Sequence, residues 1–211
     1  NKQSAFIASE YITFDGPYVS SQNFRRMNLF GKFTNVLEDK SKFSISASQF
    51  SSEWTASGQI PQRLIDAGII SRFGAVDDTE GGKTSRSNLN FEYYKPISES
   101  LFFKGNTYYN NYQFELYSNF TFFLENPIDG DQIKQKENRT IYGFNGEFNK
   151  KIVNSKSSYQ VGFGLRADET KDSELSNTKN RTITINQLKL GNINQKNYFS
   201  YINTDIELGN F

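Results

Sequence analysis

The sequence predicts an all-β fold: antiparallel up-and-down strands of a transmembrane β-barrel, about eight of them, forming part of a larger barrel. Two observations predict it. Apolar and polar residues alternate along successive segments, as the two faces of a β-strand require. Short turns and long loops also alternate between the segments, and outer-membrane barrels keep their short turns on one side and their long loops on the other.

The predicted strands follow one another through the whole chain. Their limits are residues 3–14, 23–36, 42–53, 83–95, 101–124, 138–151, 157–170 and 196–210. The longer connections are residues 16–22, 54–82, 125–137 and 172–195, and the short ones are residues 38–41, 96–100 and 153–156. We therefore expect one side of the sheet to carry all the long loops.

Alternation supports the strands in order along the chain. The apolar positions are Phe43, Ile45 and Ala47 in the third strand, Leu89, Phe91 and Tyr93 in the fourth, Tyr142, Phe144 and Phe148 in the sixth, Tyr159, Val161, Phe163 and Leu165 in the seventh, and Ile202, Ile206 and Leu208 in the eighth. Polar or small residues occupy the positions between them. Each strand therefore has one apolar face.

The fifth strand, residues 101–124, is the longest. Its apolar face is predicted at even positions, namely Tyr108, Tyr112, Phe114, Leu116, Phe120 and Phe122. A strand needs only about 9–11 residues to cross the hydrocarbon of a membrane. We therefore expect this strand to project well beyond the bilayer.

Composition excludes several classes of protein. The chain has 211 residues and no run approaching the ~20 apolar residues of a membrane helix, which excludes a helical membrane protein. It contains 20 Phe and 12 Tyr, residues that barrels place on lipid-facing positions and interfacial girdles. Without His or Cys, the Ser-His-Asp triad and thiol chemistry are excluded, so we expect neither an enzyme nor a cofactor. A net charge of +1 with no basic block gives no sign of nucleic-acid binding.

The apolar faces of the strands must be buried away from water by a second layer or by lipid. No amphipathic helix of useful length is present to supply a second layer, so outer-membrane lipid is the simplest cover. A soluble β-sandwich or solenoid stays open as an alternative.

The longest loop and the segments before it carry a family resemblance. The residues are Phe24–Lys32 (FRRMNLFGK), Ser48–Trp54 (SQFSSEW), Ala56–Pro61 (ASGQIP), Ile70–Gly74 (ISRFG) and Asp77–Arg86 (DDTEGGKTSR). These segments resemble the barrel region of TonB-dependent outer-membrane receptors of the Bacteroidetes type. The resemblance implies that residues 1–211 are an internal piece of such a barrel domain, without the plug. It also implies a small-molecule ligand such as a metal chelate or glycan, and TonB and a plug domain as partners in the full-length protein.

Local signals predict how the longest loop folds. Pro61 suits a first helical turn, so residues 62–67 predict a short helix that ends at Gly68. Trp54 and Phe73 are expected to pin the loop against the rim of the barrel. We predict Trp54, Arg72, Phe73 and Arg86 as ligand-binding residues.

Charged residues offer further candidates. Asp77, Asp78 and Glu80 suit calcium by type but do not have the spacing of a calcium loop, so a solvated turn is favoured and no metal is expected. The arginines near strand ends or on polar faces are Arg86, Arg139, Arg166 and Arg181. They are suited to an anionic ligand, but pairing with neighbouring carboxylates is favoured. Gly162 and Gly164 are expected to allow close packing or bending of their strand.

Three other functions stay open at this point. A complete eight-stranded barrel with a structural or adhesive role predicts that residues 5–13 pair with residues 198–208. A soluble β-sheet binding protein predicts a monomer that needs no detergent. An enzyme is the least favoured.

Overall fold

The computed structural model describes residues 2–152 and 157–206, which form one antiparallel sheet with the strands in sequence order. The strands are β1 Lys2–Phe14, β2 Phe24–Val36, β3 Lys42–Ala56, β4 Glu80–Ser98, β5 Leu101–Ser118, β6 Ile133–Ile152, β7 Ser157–Lys179 and β8 Ile183–Asp205. One short helix, α1 Gln62–Asp66, interrupts the longest loop. The predicted all-β, antiparallel, up-and-down arrangement is confirmed.

Each strand pairs with its sequence neighbours, so directly paired residues share one face of the sheet. One continuous row of paired residues consists of Phe33, Ile45, Phe91, Thr107, Phe144, Leu165 and Tyr198. We call the face that carries this row the outer face. A second row, on the opposite or inner face, consists of Ser44, Glu92, Asn106, Asn145, Gly164 and Phe199.

The sheet curls toward the inner face. Ser44 of β3 and Phe199 of β8 line the same cavity although four strands separate them in the sheet. The two edges nevertheless stay apart: among the described residues β1 pairs only with β2, and β8 only with β7. The pairing of residues 5–13 with 198–208 that a closed eight-stranded barrel predicts is therefore not formed within the described residues.

The rhythm of connections follows the prediction with two corrections. Residues 15–23, 57–79 and 119–132 lie at one end of the sheet, which we call the loop end, and residues 37–41 and 99–100 lie at the other. The predicted turn at residues 153–156 lies outside the described residues. The predicted loop 172–195 is wrong, because β7 continues to Lys179 and β8 begins at Ile183.

The physical reason is a set of irregularities in the β7–β8 ladder. Register shifts occur between Thr170 and Ser173, between Leu175 and Ser176, and between Asn177 and Thr178. Each extra residue interrupts the period of two on which strand prediction depends. The strands turn over Asn180 and Arg181, whose φ angles are 52° and 61°, without any glycine to mark the turn.

The end of β5 is the second correction. The strand ends at Ser118 and not at residue 124. The Asn119 side chain accepts a hydrogen bond of 2.8 Å from the Phe122 backbone amide, and Phe122 itself has a φ of 63°. A local turn therefore replaces the last part of the predicted strand.

The described residues contain almost no apolar core. Among them, only Tyr117, Phe122 and Ala167 are buried hydrophobic residues, whereas Leu89 is 51% exposed. No helix in the described ranges is long and apolar enough to cross a membrane. A sheet that exposes one large apolar face does not owe its stability to an internal core.

Candidate ligand-binding surface

The inner face carries an open cavity of about 590 Å³ toward the end of the sheet opposite the loop end. Its lining combines charged groups, amides and aromatic rings, including Lys104, Glu147, Asn106, Asn145, Tyr94 and Tyr201. Alternation places these side chains on one face because β4 to β8 pair without a shift in this part of the sheet. A cavity of this size is within the range that holds small molecules.

Glu147 is the centre of the hydrogen-bond network in this cavity. Its carboxylate accepts hydrogen bonds from the Gln160 amide at 2.7 Å, the Asn149 amide at 3.0 Å and the Tyr201 hydroxyl at 3.1 Å. The Lys104 ammonium lies 3.5 Å away. Glu147 is therefore neutralised and held in place by its own neighbours.

Two glycines let aromatic rings lie flat against the inner face. A Cβ at Gly162 would fall within the Tyr201 ring, and one at Gly164 would meet the Phe199 ring. The absence of side chains on β7 therefore makes room for the rings of β8. The prediction that Gly162 and Gly164 allow close packing is confirmed.

Nearer the loop end, β5 places aromatic rings on the inner face. Tyr112 and Phe114 stack with ring centroids 6.3 Å apart, and the Arg86 guanidinium lies 5.1 Å from the centroid of Tyr112. These even positions were predicted on the apolar face, which is wrong. Tyr112 pairs with Arg86 and Arg139, so it shares the inner face with polar and charged residues.

An aromatic cavity lies at the loop end of the same face. It has a volume of about 470 Å³ and is lined by Phe14, Gln22, Phe24, Ser52, Trp54 and Thr55. The Trp54 ring covers Gly82, whose absent side chain leaves space for it. A further cavity of about 510 Å³ shares Ser52 with this one and reaches Thr84 and Phe114.

Most of the charges on the inner face are neutralised locally. The close pairs are Arg26 with Glu10 at 2.8 Å, Lys32 with Glu92 at 3.6 Å, Lys104 with Glu147 at 3.5 Å and Arg166 with Asp168 at 2.6 Å. Arg139 likewise contacts Glu137 at 2.6 Å. The favoured pairing of arginines with carboxylates is thus confirmed for Arg166 and Arg139.

Arg86 and Arg181 differ from that expectation. Within residues 2–152 and 157–206, Arg86 has no carboxylate partner, and its guanidinium lies against the Tyr112 ring. Arg181 donates to the backbone carbonyls of Thr79 and Glu80 and lies over the Tyr117 ring. Arg86 is therefore a free cation on the inner face, whereas Arg181 is a structural anchor.

The predicted ligand-binding residues divide into two groups. Trp54 and Arg86 both lie on the inner face, Trp54 at the aromatic cavity and Arg86 nearer the middle of the sheet. Arg72 and Phe73 lie in the longest loop, where the Phe73 ring packs 6.4 Å from that of Tyr18 and its carbonyl accepts a hydrogen bond from Val19. Phe73 thus joins two loops and does not pin the longest loop to the strands.

Sequence reasoning missed Phe14, Phe24 and Tyr112 as neighbours of Trp54 and Arg86. Each of the three is an aromatic residue within a predicted strand, which is the signal by which the sequence could have indicated it. Only the register shows that these rings share a face with Trp54 and Arg86.

The loop end is held together by a buried hydrogen-bond cluster, which we call the loop cluster: Asp77, Thr79, Glu80, Asn119, Gln132, Thr178 and Arg181. Asp77 accepts hydrogen bonds from the Asn119 amide at 2.9 Å and the Gln132 amide at 3.1 Å. Burial alone raises the pKa of Asp77, but these bonds and those from Thr79 outweigh it and hold the pKa below its usual value. The favoured prediction of a solvated turn is confirmed for Asp78, which is exposed, but is wrong for Glu80, which is buried, and for Asp77, which is partly buried.

The described residues contain no group of three or more His, Cys, Asp or Glu side chains placed to hold a metal ion. The predicted short helix is present as α1, which begins after Pro61 and is followed by Gly68 with a φ of 67°. No protein-family model, curated protein or solved structure matches the chain.

Proposed function

We propose that the chain forms part of the wall of a TonB-dependent receptor barrel in a bacterial outer membrane. The receptor imports a small nutrient such as a metal chelate or a glycan. The chain itself catalyses no covalent step. Lipid covers its outer face, and a plug domain and TonB act with the full-length protein. The family resemblance of Phe24–Lys32 and of the longest loop supports this assignment.

The observation that carries the proposal is a change from apolar to polar residues along the strands of the outer face. Two successive rows contain Ile45, Phe91, Phe144 and Leu165, followed by Ala47, Leu89, Tyr109, Tyr142 and Ala167. The next rows toward the loop end contain Gln49, Ser87, Asn111, Thr140 and Glu169, then Ser51, Ser85, Gln113 and Asn138. Apolar residues thus give way to polar ones at the same height on neighbouring strands.

Such a boundary is expected where strands leave a bilayer. Lipid-facing positions of barrels form an apolar band about 25 Å tall with aromatic residues at its edges. Tyr109 and Tyr142 pair with each other in the last apolar row before the polar rows begin. A soluble sheet has no physical reason to change polarity at one height on the five neighbouring strands β3 to β7. The open edges of β1 and β8 favour part of a larger barrel over a complete small one.

The chain contains no cysteine, so single cysteines test the proposal directly. We expect Ser85→Cys to react with a charged, water-soluble maleimide in intact membranes. Phe91→Cys, on the same strand and the same face, should react only after the membrane is dissolved. Equal labelling of both variants, or recovery of the protein in the soluble fraction, would refute the proposal.

A further inference from the structure

We propose that the loop end of the inner face binds an elongated aryl carboxylate, with its ring in the aromatic cavity at Trp54 and its carboxylate on Arg86. This inference rests on the proposed function and names the class of ligand that the wall recognises. It concerns one surface that runs from Phe14, Phe24 and Trp54 to Arg86 and Tyr112.

The aromatic cavity accounts for the ring. Phe14, Phe24 and Trp54 are the large side chains that line it, and Phe14 is 57% exposed. No charged residue of the described ranges lines this cavity. Aromatic side chains take up flat rings by offset or edge-to-face contacts, so an aryl group is a suitable occupant.

Arg86 accounts for the carboxylate. The other arginines described above on this face are held by carboxylates, whereas Arg86 lies only against a tyrosine ring within the described part of the chain. Its planar guanidinium matches a carboxylate with two parallel hydrogen bonds. The Tyr112 ring, which stacks with that of Phe114, lies against one side of the guanidinium, and the exposed Arg86 side chain is open to a ligand on the other.

The spacing sets the length of the ligand. Trp54 pairs with Gly82, and Arg86 lies four residues further along β4. At about 3.3 Å per residue, the two positions are about 13 Å apart along the strand. A ring joined to a carboxylate through a short chain spans this distance once both side chains lean toward it. Ser52 and Thr84 lie between the two positions and offer hydroxyl groups along the path.

Trp54 is the only tryptophan in the chain, so its fluorescence reports on this surface alone. The probes are 4-(4-nitrophenyl)butanoate, the corresponding alcohol 4-(4-nitrophenyl)butan-1-ol, and butanoate, each added to the protein in bilayers. We expect saturable quenching by the acid, with a Kd at least about 10-fold below that of the alcohol, because a charge-assisted pair with Arg86 is worth about that factor. Butanoate should leave the emission unchanged.

Variants separate the two halves of the site. Arg86→Gln should make the acid and the alcohol bind about equally, whereas Arg63→Gln, at an exposed arginine of α1, should preserve the preference for the acid. Phe14→Ala should weaken both nitro compounds by a similar factor without changing their ratio. The Phe14→Ala variant also keeps the proposal testable if Arg86→Gln fails to fold.

Unsaturable quenching, equal binding of acid and alcohol to the unaltered protein, or an unchanged preference in Arg86→Gln would each overturn the inference. An unchanged acid affinity in Phe14→Ala would overturn it as well. If any of these binding results is found together with the labelling pattern expected for Ser85→Cys and Phe91→Cys, the proposed function is still supported and only the ligand inference is refuted. Failure of the labelling pattern would instead refute the proposed function itself.

Discussion

Glu80 is the residue whose ionisation the fold alters most clearly. Burial raises its pKa to about 7 against a hydrogen bond from the Asn119 backbone, and the nearby Asp77 carboxylate raises it further. The residue is only 7% exposed, and its Oε1 atom has no hydrogen-bond partner among the described residues. It lies at the loop end, beyond the apolar rows of the outer face. The folded protein therefore favours the neutral acid, whose charged form is costly to bury.

The stability of the loop end should consequently depend on pH. The pKa of Glu80 is higher in the folded chain, about 7, than its ordinary value of 4.5. The stability that the neutral Glu80 side chain contributes is thus fully present below about pH 4.5 and is lost as the pH rises through about 7. The loss lowers the free energy of unfolding by at most about 3 kcal/mol. We expect Glu80→Gln to remove much of the fall in thermal midpoint between pH 5 and pH 8. Glu38→Gln, in an exposed turn, should keep that fall, and a Glu80→Gln profile identical to the unaltered one would contradict the prediction.

At the scale of elements, the loop cluster shows how the long loops acquire a fixed shape. Gln132 is 2% exposed and joins the longest loop to the β7–β8 hairpin. Its amide donates to Thr79 at 2.7 Å, and its carbonyl accepts from the Thr178 hydroxyl at 3.0 Å and the Arg181 backbone amide at 2.9 Å. Both ends of the Gln132 side-chain amide are therefore hydrogen-bonded, and a buried amide held in this way fixes the groups around it in one conformation.

Removing that amide should release the longest loop. Gln132→Ala leaves several buried groups without partners, at a cost of about 2–3 kcal/mol for the cluster. We expect trypsin to cleave at Arg72, which is exposed in this loop, at least about 10-fold faster than in the unaltered protein, because cleavage requires local opening. The matched control is Gln59→Ala, an exposed glutamine of the same loop. Equal cleavage rates for the two variants would show that Gln132 does not restrain the loop.

The sequence indicated the elements unevenly, and the reasons are physical. β3 and β4 alternate regularly and were located to within a few residues, and Pro61 and Gly68 marked the ends of α1. The extension of β7 and β8 was missed because register shifts break the alternation, and the turn at Asn180 and Arg181 contains no glycine. The inner-face position of Tyr112 was also missed, since a strand that carries aromatic residues on both faces gives no signal of which face is which.

At the scale of the whole molecule, the central feature is a curled sheet with two free edges. β1 and β8 are exposed along almost their entire length, and each presents unpaired backbone groups. Such edges associate with other strands unless they are protected. In a larger barrel, neighbouring strands on both sides satisfy them.

Disulfide cross-linking distinguishes an open section from a closed eight-stranded barrel. Ala5 and Phe33 are paired across β1 and β2, so Ala5→Cys combined with Phe33→Cys should form a disulfide under mild oxidation. Thr13→Cys combined with Tyr198→Cys, which the antiparallel pairing of residues 5–13 with residues 198–208 would bring together on the outer face, should not. A disulfide in the second variant would support the complete small barrel with a structural or adhesive role.

The sequence by itself determined that the chain forms antiparallel strands with one apolar face, because a period of two is a local property that each strand carries alone. It also placed Trp54 and Arg86 among the candidate ligand-binding residues. Only the tertiary structure decided which faces meet, since register is a relation between strands. That relation aligns the apolar rows of the outer face and places Tyr112 beside Arg86. Among the described residues it also leaves Arg86 without the carboxylate partner that the sequence led us to expect.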